Sequence, residues 1–220
     1  MISVLAGLVA GSLHVFSGPD HLAAIAPLAV DVRRRAWITG LRWGIGHSTG
    51  VLFVGVLSLL LRDLLPLESI SNWSERIIGI LLIAIGFWGI RKAMQVHAHE
   101  HEHNGERHMH LHIHSAGQPH QEPQAHTHNH TAFGIGTIHG LAGSSHFLGV
   151  LPAIAFPSAT DGIIYLVAFG LGTIAAMTFF STALSAIAGR LTQETVRGYR
   201  NLMCGCSVAT LLVGAYWLFN

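Results

Sequence analysis

Long apolar runs dominate this sequence, and a run of about 20 mostly apolar residues is what a helix needs to cross a bilayer. Five stretches qualify: residues 1–30, 37–61, 132–156, 162–188 and 202–219. A sixth, 77–90, is shorter and is expected to borrow residues from Ile70 onward, which places Glu75 and Arg76 near an interface. Half of the residues are hydrophobic and 10% are charged, a balance suited to a chain whose solvent is lipid. The expected architecture is therefore an all-α membrane protein with six transmembrane helices. The first run carries His14, Asp20 and His21 and has no basic residue ahead of its apolar stretch, so it reads as a retained helix, not a secretory signal.

The basic residues set the expected orientation. With six spans, one side receives Arg33, Arg34, Arg35, Arg42, Arg91, Lys92, Arg107, Arg190, Arg197 and Arg200, and the other receives Arg62 and Arg76. Short loops rich in Arg and Lys stay in the cytoplasm. Both termini are thus expected outside a plasma membrane, with the long middle connection in the cytoplasm. A net charge of +1 with no basic stripe excludes nucleic acid as a partner. Cys204 and Cys206 lie two apart in the last span, where they point to opposite sides and neither pair nor chelate one ion. They read as small packing residues.

An internal repeat organises the spans. The segment from Gly11 to Pro27 aligns with the segment from Gly136 at an offset of 125, matching Gly11, His14, Gly18, His21 and Pro27 to Gly136, His139, Gly143, His146 and Pro152. At an offset of 126, Gly44, Gly46 and His47 fall beside Gly170, Gly172 and Thr173, with Met177 nearby. Each copy holds three spans, and an odd number inverts the second copy relative to the first. The expected organisation is a first repeat over residues 1–95, a His-rich cytoplasmic loop over 96–131 and an inverted repeat over 132–220. Helices 1 and 4 are expected to be broken or kinked, because Gly18-Pro19 interrupts the first and Gly143-Ser144-Ser145 stands at the matching place in the second.

Seventeen histidines fall into two groups. His14, His21, His47, His139 and His146 lie inside spans, where ionisable groups are costly and mark functional sites. A lone membrane histidine is often an interhelical hydrogen-bonding group, but four of these occupy repeat-related positions and Asp20 adjoins His21. Neutral imidazole is the commonest metal ligand in proteins. His14, Asp20, His21, His47, His139 and His146 are accordingly the expected metal residues, with Ser48, Thr49, Ser144, Ser145, Thr173 and Met177 as path-lining residues. The other group, His97, His99, His101, His103, His108, His110, His112, His114, His120, His126, His128 and His130, stands in a polar tract without apolar periodicity. That tract is expected to be flexible and to buffer metal.

Imidazole with a carboxylate suits nickel, cobalt, zinc or copper(II), whereas magnesium and calcium prefer oxygen cages and copper(I) prefers sulfur. The cargo expected is a borderline divalent ion. No organic cofactor and no enzyme chemistry are expected. No GxxxxGK[ST] loop is present, so energy must come from a gradient or from partner subunits.

The motifs HVFSGPDH (14–21), LRWGIGHSTG around His47 and HGLAGSSH (139–146) resemble the nickel/cobalt transporter superfamily, in particular its urease-accessory nickel transporters and its histidine-loop efflux proteins. The family signature is His, four residues, then Asp-His; here five residues separate His14 from Asp20, so Asp20 and His21 carry over directly, and His47 matches the GHS motif. The resemblance implies transport of nickel or cobalt, with zinc as a further ion, and contact with cytoplasmic maturation proteins of nickel enzymes. Three other readings remain, two distinguished by their site residues and one by its activity. A thiol-redox carrier of the cytochrome-biogenesis type places cysteines where this chain has histidines, an anion exporter requires cationic groups along its path, and a membrane-anchored metal chaperone or sensor binds without moving the ion.

Positions seven apart on an unbroken helix are about 10 Å apart along its axis. A shared ion therefore requires a break between His14 and His21. Asp20, His21 and His47 are expected to face one polar cavity with His146 approaching from the second repeat, while His14 and His139 are expected farther along the path.

Overall fold

The break comes where backbone chemistry demands it. Pro19 has no N–H and disfavours a helical conformation in the residue before it, and Gly18 is extended (φ −89°, ψ 102°). In the computed structural model, helix α1 (Ile2–Ser17) ends there, with the Gly18 N–H donating to the His14 carbonyl at 3.2 Å. Helix α2 (Pro19–Val32) starts with proline at its first position, where a missing N–H leaves no bond unmade. The two helices meet at 74°. The structure describes residues 1–32, 35–61, 67–103, 106–113, 131–142, 146–192 and 195–219, with side chains except at 55–61, 67–72, 96–103, 106–113, 146–148, 150, 154 and 192.

The remaining helices are α3 (Ala36–Leu61), α4 (Leu67–Gln95), α5 (Thr131–Ala142), α6 (His146–Ala155), α7 (Ala159–Thr192) and α8 (Val196–Phe219). The fourth helix absorbs the residues that its short apolar run was expected to borrow. Among the described residues, three helices are long and apolar enough to cross a membrane, within α4, α7 and α8, and the bent pair α1–α2 makes a fourth if taken as one span. The surface fits a lipid solvent: Leu5, Leu13, Phe87, Phe179 and Leu212 are each more than 60% exposed, while Asp20, His21, His47 and His139 are buried. The expected break between the fifth and sixth helices falls at residues 143–145, which lie outside the described residues.

The helical body contains no strand, but the His-rich connection does. Strands β1 (Val96–His103) and β2 (Glu106–Ile113) pair antiparallel, opposing His97 with His112, His99 with His110 and His101 with His108. This tract is expected from sequence to lack regular structure. Strict alternation of histidine along both segments, with Glu102 opposite Arg107, supplies the pairing pattern, although a two-stranded ribbon is marginal in water by itself. Residues 114–130, with His114, His120, His126, His128 and His130, lie outside the described residues.

Helix α1 packs on α7, α5 on α3, and α4 on α8. Glycine sets the distance in the first two pairs. A Cβ at Gly11 would strike the Phe169 carbonyl and one at Gly136 the Trp43 carbonyl; likewise Gly46 meets Phe133 and Gly172 meets Leu8. These helices touch backbone to backbone, the packing mode available where lipid supplies no hydrophobic drive. At one end Asp31 of α2 accepts from Lys92 of α4 at 2.5 Å and from the Tyr199 hydroxyl of α8 at 3.2 Å, which ties three helices together. Overpacking costs about 1–3 kcal/mol, so Gly46→Ala or Gly136→Ala should lower the midpoint of thermal unfolding in detergent. Gly134→Ala, whose added methyl would meet nothing within 4 Å, should leave it unchanged.

Candidate metal site

The bend at Gly18 turns the start of α2 back toward α1. His14 and His21, two turns apart in an unbroken helix, come to a ring-centroid distance of 4.5 Å. Only glycine fits at the bend, because a Cβ on Gly18 would collide with the His21 ring and lie 2.8 Å from Asp20 Oδ1. Helix α3 contributes His47 on its buried face, 4.8 Å from the His21 ring and 5.8 Å from that of His14. Helix α5 contributes His139, 4.9 Å from His21 and 5.7 Å from His47. Four imidazoles from the two halves of the chain thus share one interior space. His21, His47 and His139 are fully buried and His14 is half-buried.

Asp20 organises two of them. The His21 Nδ1–H donates to Oδ1 at 3.0 Å and the His139 Nε2–H donates to Oδ2 at 3.1 Å. Asp20 lies in the first turn of α2, where a helix favours negative charge. With those protons fixed on the Asp20 side, the opposite ring nitrogens, Nε2 of His21 and Nδ1 of His139, keep lone pairs for a metal. Asp20, expected from sequence as a ligand, bridges the two rings, a geometry open both to orienting them and to offering a carboxylate oxygen beside His21 and His139.

Two groups have ligand atoms within 4.8 Å of one another: His14, His21 and His47, and Asp20, His21 and His139. Nitrogens about 2.1 Å from a tetrahedral ion lie roughly 3.4 Å apart, taking zinc as the guide. The first trio would close on an ion by little more than an ångström. His14 and His139, expected farther along the path, belong instead to the central cluster. The reason is the sharpness of the bend for His14 and the close α3–α5 packing for His139. The His146 backbone begins α6, but its side chain lies outside the described residues, as do Ser144 and Ser145.

The expected path-lining residues divide. Thr49 is exposed on the far face of α3, and its hydroxyl donates to the Ile45 carbonyl at 2.8 Å, so it does not line the site. Two residues past His47, it is turned by about 200° around the helix. Ser48 donates to the Gly170 carbonyl of α7 at 3.2 Å, and the Thr173 hydroxyl lies 3.0 Å from the Phe169 carbonyl of its own helix and 3.4 Å from the Gly11 carbonyl of α1. Met177 is buried in the same apolar cluster as Trp43.

Sequence reasoning missed two aromatic residues. Trp43 stacks on His47 at 4.8 Å and 12° and lies 5.3 Å from His139, and Phe169 lies 5.5 Å from His14. The signal was present: the two residues immediately precede the matched glycines of WGIGHSTG and FGLGTIAAM and obey the same offset of 126.

Residues 3–214 match the family described as the cytochrome c biogenesis protein transmembrane region. The chain belongs to that family. What this chain shares is the transmembrane region, while its two cysteines both sit on α8. It is 31% identical over 97% of its length to the chloroplast proteins FOR GROWTH AND FERTILITY 2 and 1 of Arabidopsis thaliana, and covers 55% and 58% of them. The chain thus spans little more than half the length of these relatives. It is 28% identical over its full length to the urease accessory protein UreH of a Bacillus species, covering 92% of that protein. Over 44% of its length it is 22% identical to a protein of Methanocaldococcus jannaschii named as a nickel/cobalt efflux system. The last two bear out the resemblance read from the histidine motifs, and none of these names describes an enzyme. No solved structure matches.

Loss of an orienting carboxylate typically costs 10- to 100-fold in metal affinity. Asp20→Asn should weaken nickel binding by that order in titration calorimetry of the purified protein lacking residues 97–130, and His21→Ala should weaken it further. Unchanged affinity in Asp20→Asn would remove Asp20 from the support of the ligands.

Proposed function

We propose that this protein carries a divalent transition-metal ion, nickel or cobalt first, across a membrane through the histidine cluster between its two halves. The observation that carries the reading is the trio of half-buried His14 with fully buried His21 and His47, and Asp20 between His21 and His139. Ionisable groups in a bilayer face a partner or a path, and an all-imidazole trio suits a borderline ion. The names of UreH and of the nickel/cobalt efflux protein point the same way.

The path belongs to a six-span protein of two inverted three-helix repeats. The glycine contacts support this: Gly11 on Phe169 becomes Gly136 on Trp43, and Gly46 on Phe133 becomes Gly172 on Leu8, when α1 and α5 are exchanged at an offset of 125 and α3 and α7 at 126. Such reciprocity is what a two-fold axis in the membrane plane produces. The ten-to-two division of basic residues favours a plasma-membrane protein with its termini outside and the histidine connection in the cytoplasm. There, six histidines in cross-strand register form a buffer for ions that enter or leave the path. Maturation proteins of a nickel enzyme are the partners that UreH's name suggests. The second reading, a membrane-anchored metal chaperone or sensor, uses the same cluster for storage without passage.

Uptake of labelled nickel into proteoliposomes under an imposed proton gradient separates the two. The carrier should accumulate nickel, His47→Ala should abolish uptake, and removal of residues 97–130 should leave uptake measurable but change its dependence on metal concentration. Stoichiometric binding without accumulation would establish the chaperone instead.

A further inference from the structure

The two ends of the molecule differ on either side of the histidine cluster. Toward the end that holds Asp31, Lys92 and Arg197, a cavity of about 270 Å³ opens between α2, α3, α4 and α5. Its walls include Leu28, Asp31, Thr39, Trp88 and Ile135. Thr39 is one turn before Trp43, and Ile135 is one turn before His139, about 6 Å along each helix, while on α4 the wall continues past Trp88 to Ile85 and Leu81. Trp43 is fully buried in the apolar cluster that Ile135 packs against, and its indole lies flat on His47. The Trp43 ring thus stands between the Thr39 wall of this cavity and His47.

Toward the other end a column of rings takes the place of the cavity. Phe169 lies beside His14 at 5.5 Å, Tyr165 beside Phe169 at 6.4 Å, and Phe156 beside Tyr165 at 5.6 Å. The Tyr165 hydroxyl donates to the Gly149 carbonyl of α6 at 3.0 Å, and a Cβ on Gly149 would press on the Phe169 ring at 2.6 Å. Phe169 corresponds to Trp43, and Tyr165 to Thr39, at the offset of 126 that relates α7 to α3. At repeat-related places, the closed end has a tyrosine bonded across to α6 where the open end has a small threonine in a cavity wall.

Resting on the transport and inverted-repeat reading, we propose that Trp43 and Phe169 are the two gates of the ion path and that Tyr165, through the Gly149 carbonyl, latches the Phe169 gate. On this proposal the cavity walled by Thr39 and Ile135 is the basic-end approach to Trp43. Two apolar rings, one on each side of the imidazoles, let the ion exchange its ligands with water on one side at a time.

The test is cysteine labelling of the full-length protein in vesicles by a maleimide supplied in water, with Cys204→Ser and Cys206→Ser removing the native thiols. Thr39→Cys, in the open cavity, should react readily, and Ala10→Cys, which packs against the Tyr165–Phe169 cluster, should be nearly inert. Tyr165→Phe removes only the latch hydroxyl, and Gly149→Ala displaces the Phe169 ring. Loss of one hydrogen bond shifts a two-state equilibrium roughly five-fold, and Ala10→Cys labelling should rise by that order in either variant. An unreactive Thr39→Cys overturns the proposal, as does Ala10→Cys labelling that neither variant changes. A parallel rise at Ala188→Cys, in the separate α7–α8 cluster, would mean general loosening and overturns it as well. The labelling needs no metal, so gates that respond as stated in a protein that never accumulates nickel would sink the transport reading alone.

Discussion

Asp20 accepts from two imidazoles, His21 and His139, in a place that water does not reach. A carboxylate at the centre of a membrane costs about 2.5–3.5 kcal/mol on insertion scales and is tolerable only with partners in place. Those partners come from different halves of the chain, so satisfying one charge fixes how the halves meet. The bend at Gly18 is the local device that makes this possible. It delivers Asp20 and His21 at the start of a helix, where the backbone favours negative charge, and it leaves no room for a side chain at the bend itself.

The second requirement is that α1 and α7, and α5 and α3, approach until backbones touch. In lipid this approach has no hydrophobic drive and depends on shape. Gly11, Gly46, Gly136 and Gly172 provide it, each facing a carbonyl of the partner helix. Their contacts bring His47 and His139 to the same depth as the bend. Structure and chemistry are thus divided between residue types: glycines set helix spacing, and histidines fill the space the bend encloses.

Much of this was legible in the chain. The apolar runs marked the helical segments, Gly18-Pro19 marked the break, and the histidine motifs marked His14, His21, His47 and His139, which the structure brings together, whereas the His146 side chain lies outside the described residues. Placement was less legible, because a sequence spacing of seven implies about 10 Å only while the helix is straight. Once the helix folds by 74° the same spacing brings His14 and His21 together. The second partner of Asp20 was hidden for a similar reason: adjacency shows His21, and only the position of His139 on α5 shows a carboxylate held between two rings. Thr49 shows the limit of reading by proximity, since two residues along a helix reverse the direction a side chain faces. The paired strands Val96–His103 and Glu106–Ile113 lie in a composition that favours disorder, where only strict alternation hinted at pairing.

If imidazoles gathered at the bend hold the ion, X-ray absorption on the nickel-loaded protein lacking residues 97–130 should show it. The first shell should contain three imidazole nitrogens at roughly 2.1 Å, again with zinc as the guide, with the outer-ring scattering that identifies histidine, and His47→Ala should lose one such contribution. A shell of oxygen alone, or one containing sulfur from Met177, Cys204 or Cys206, would contradict it.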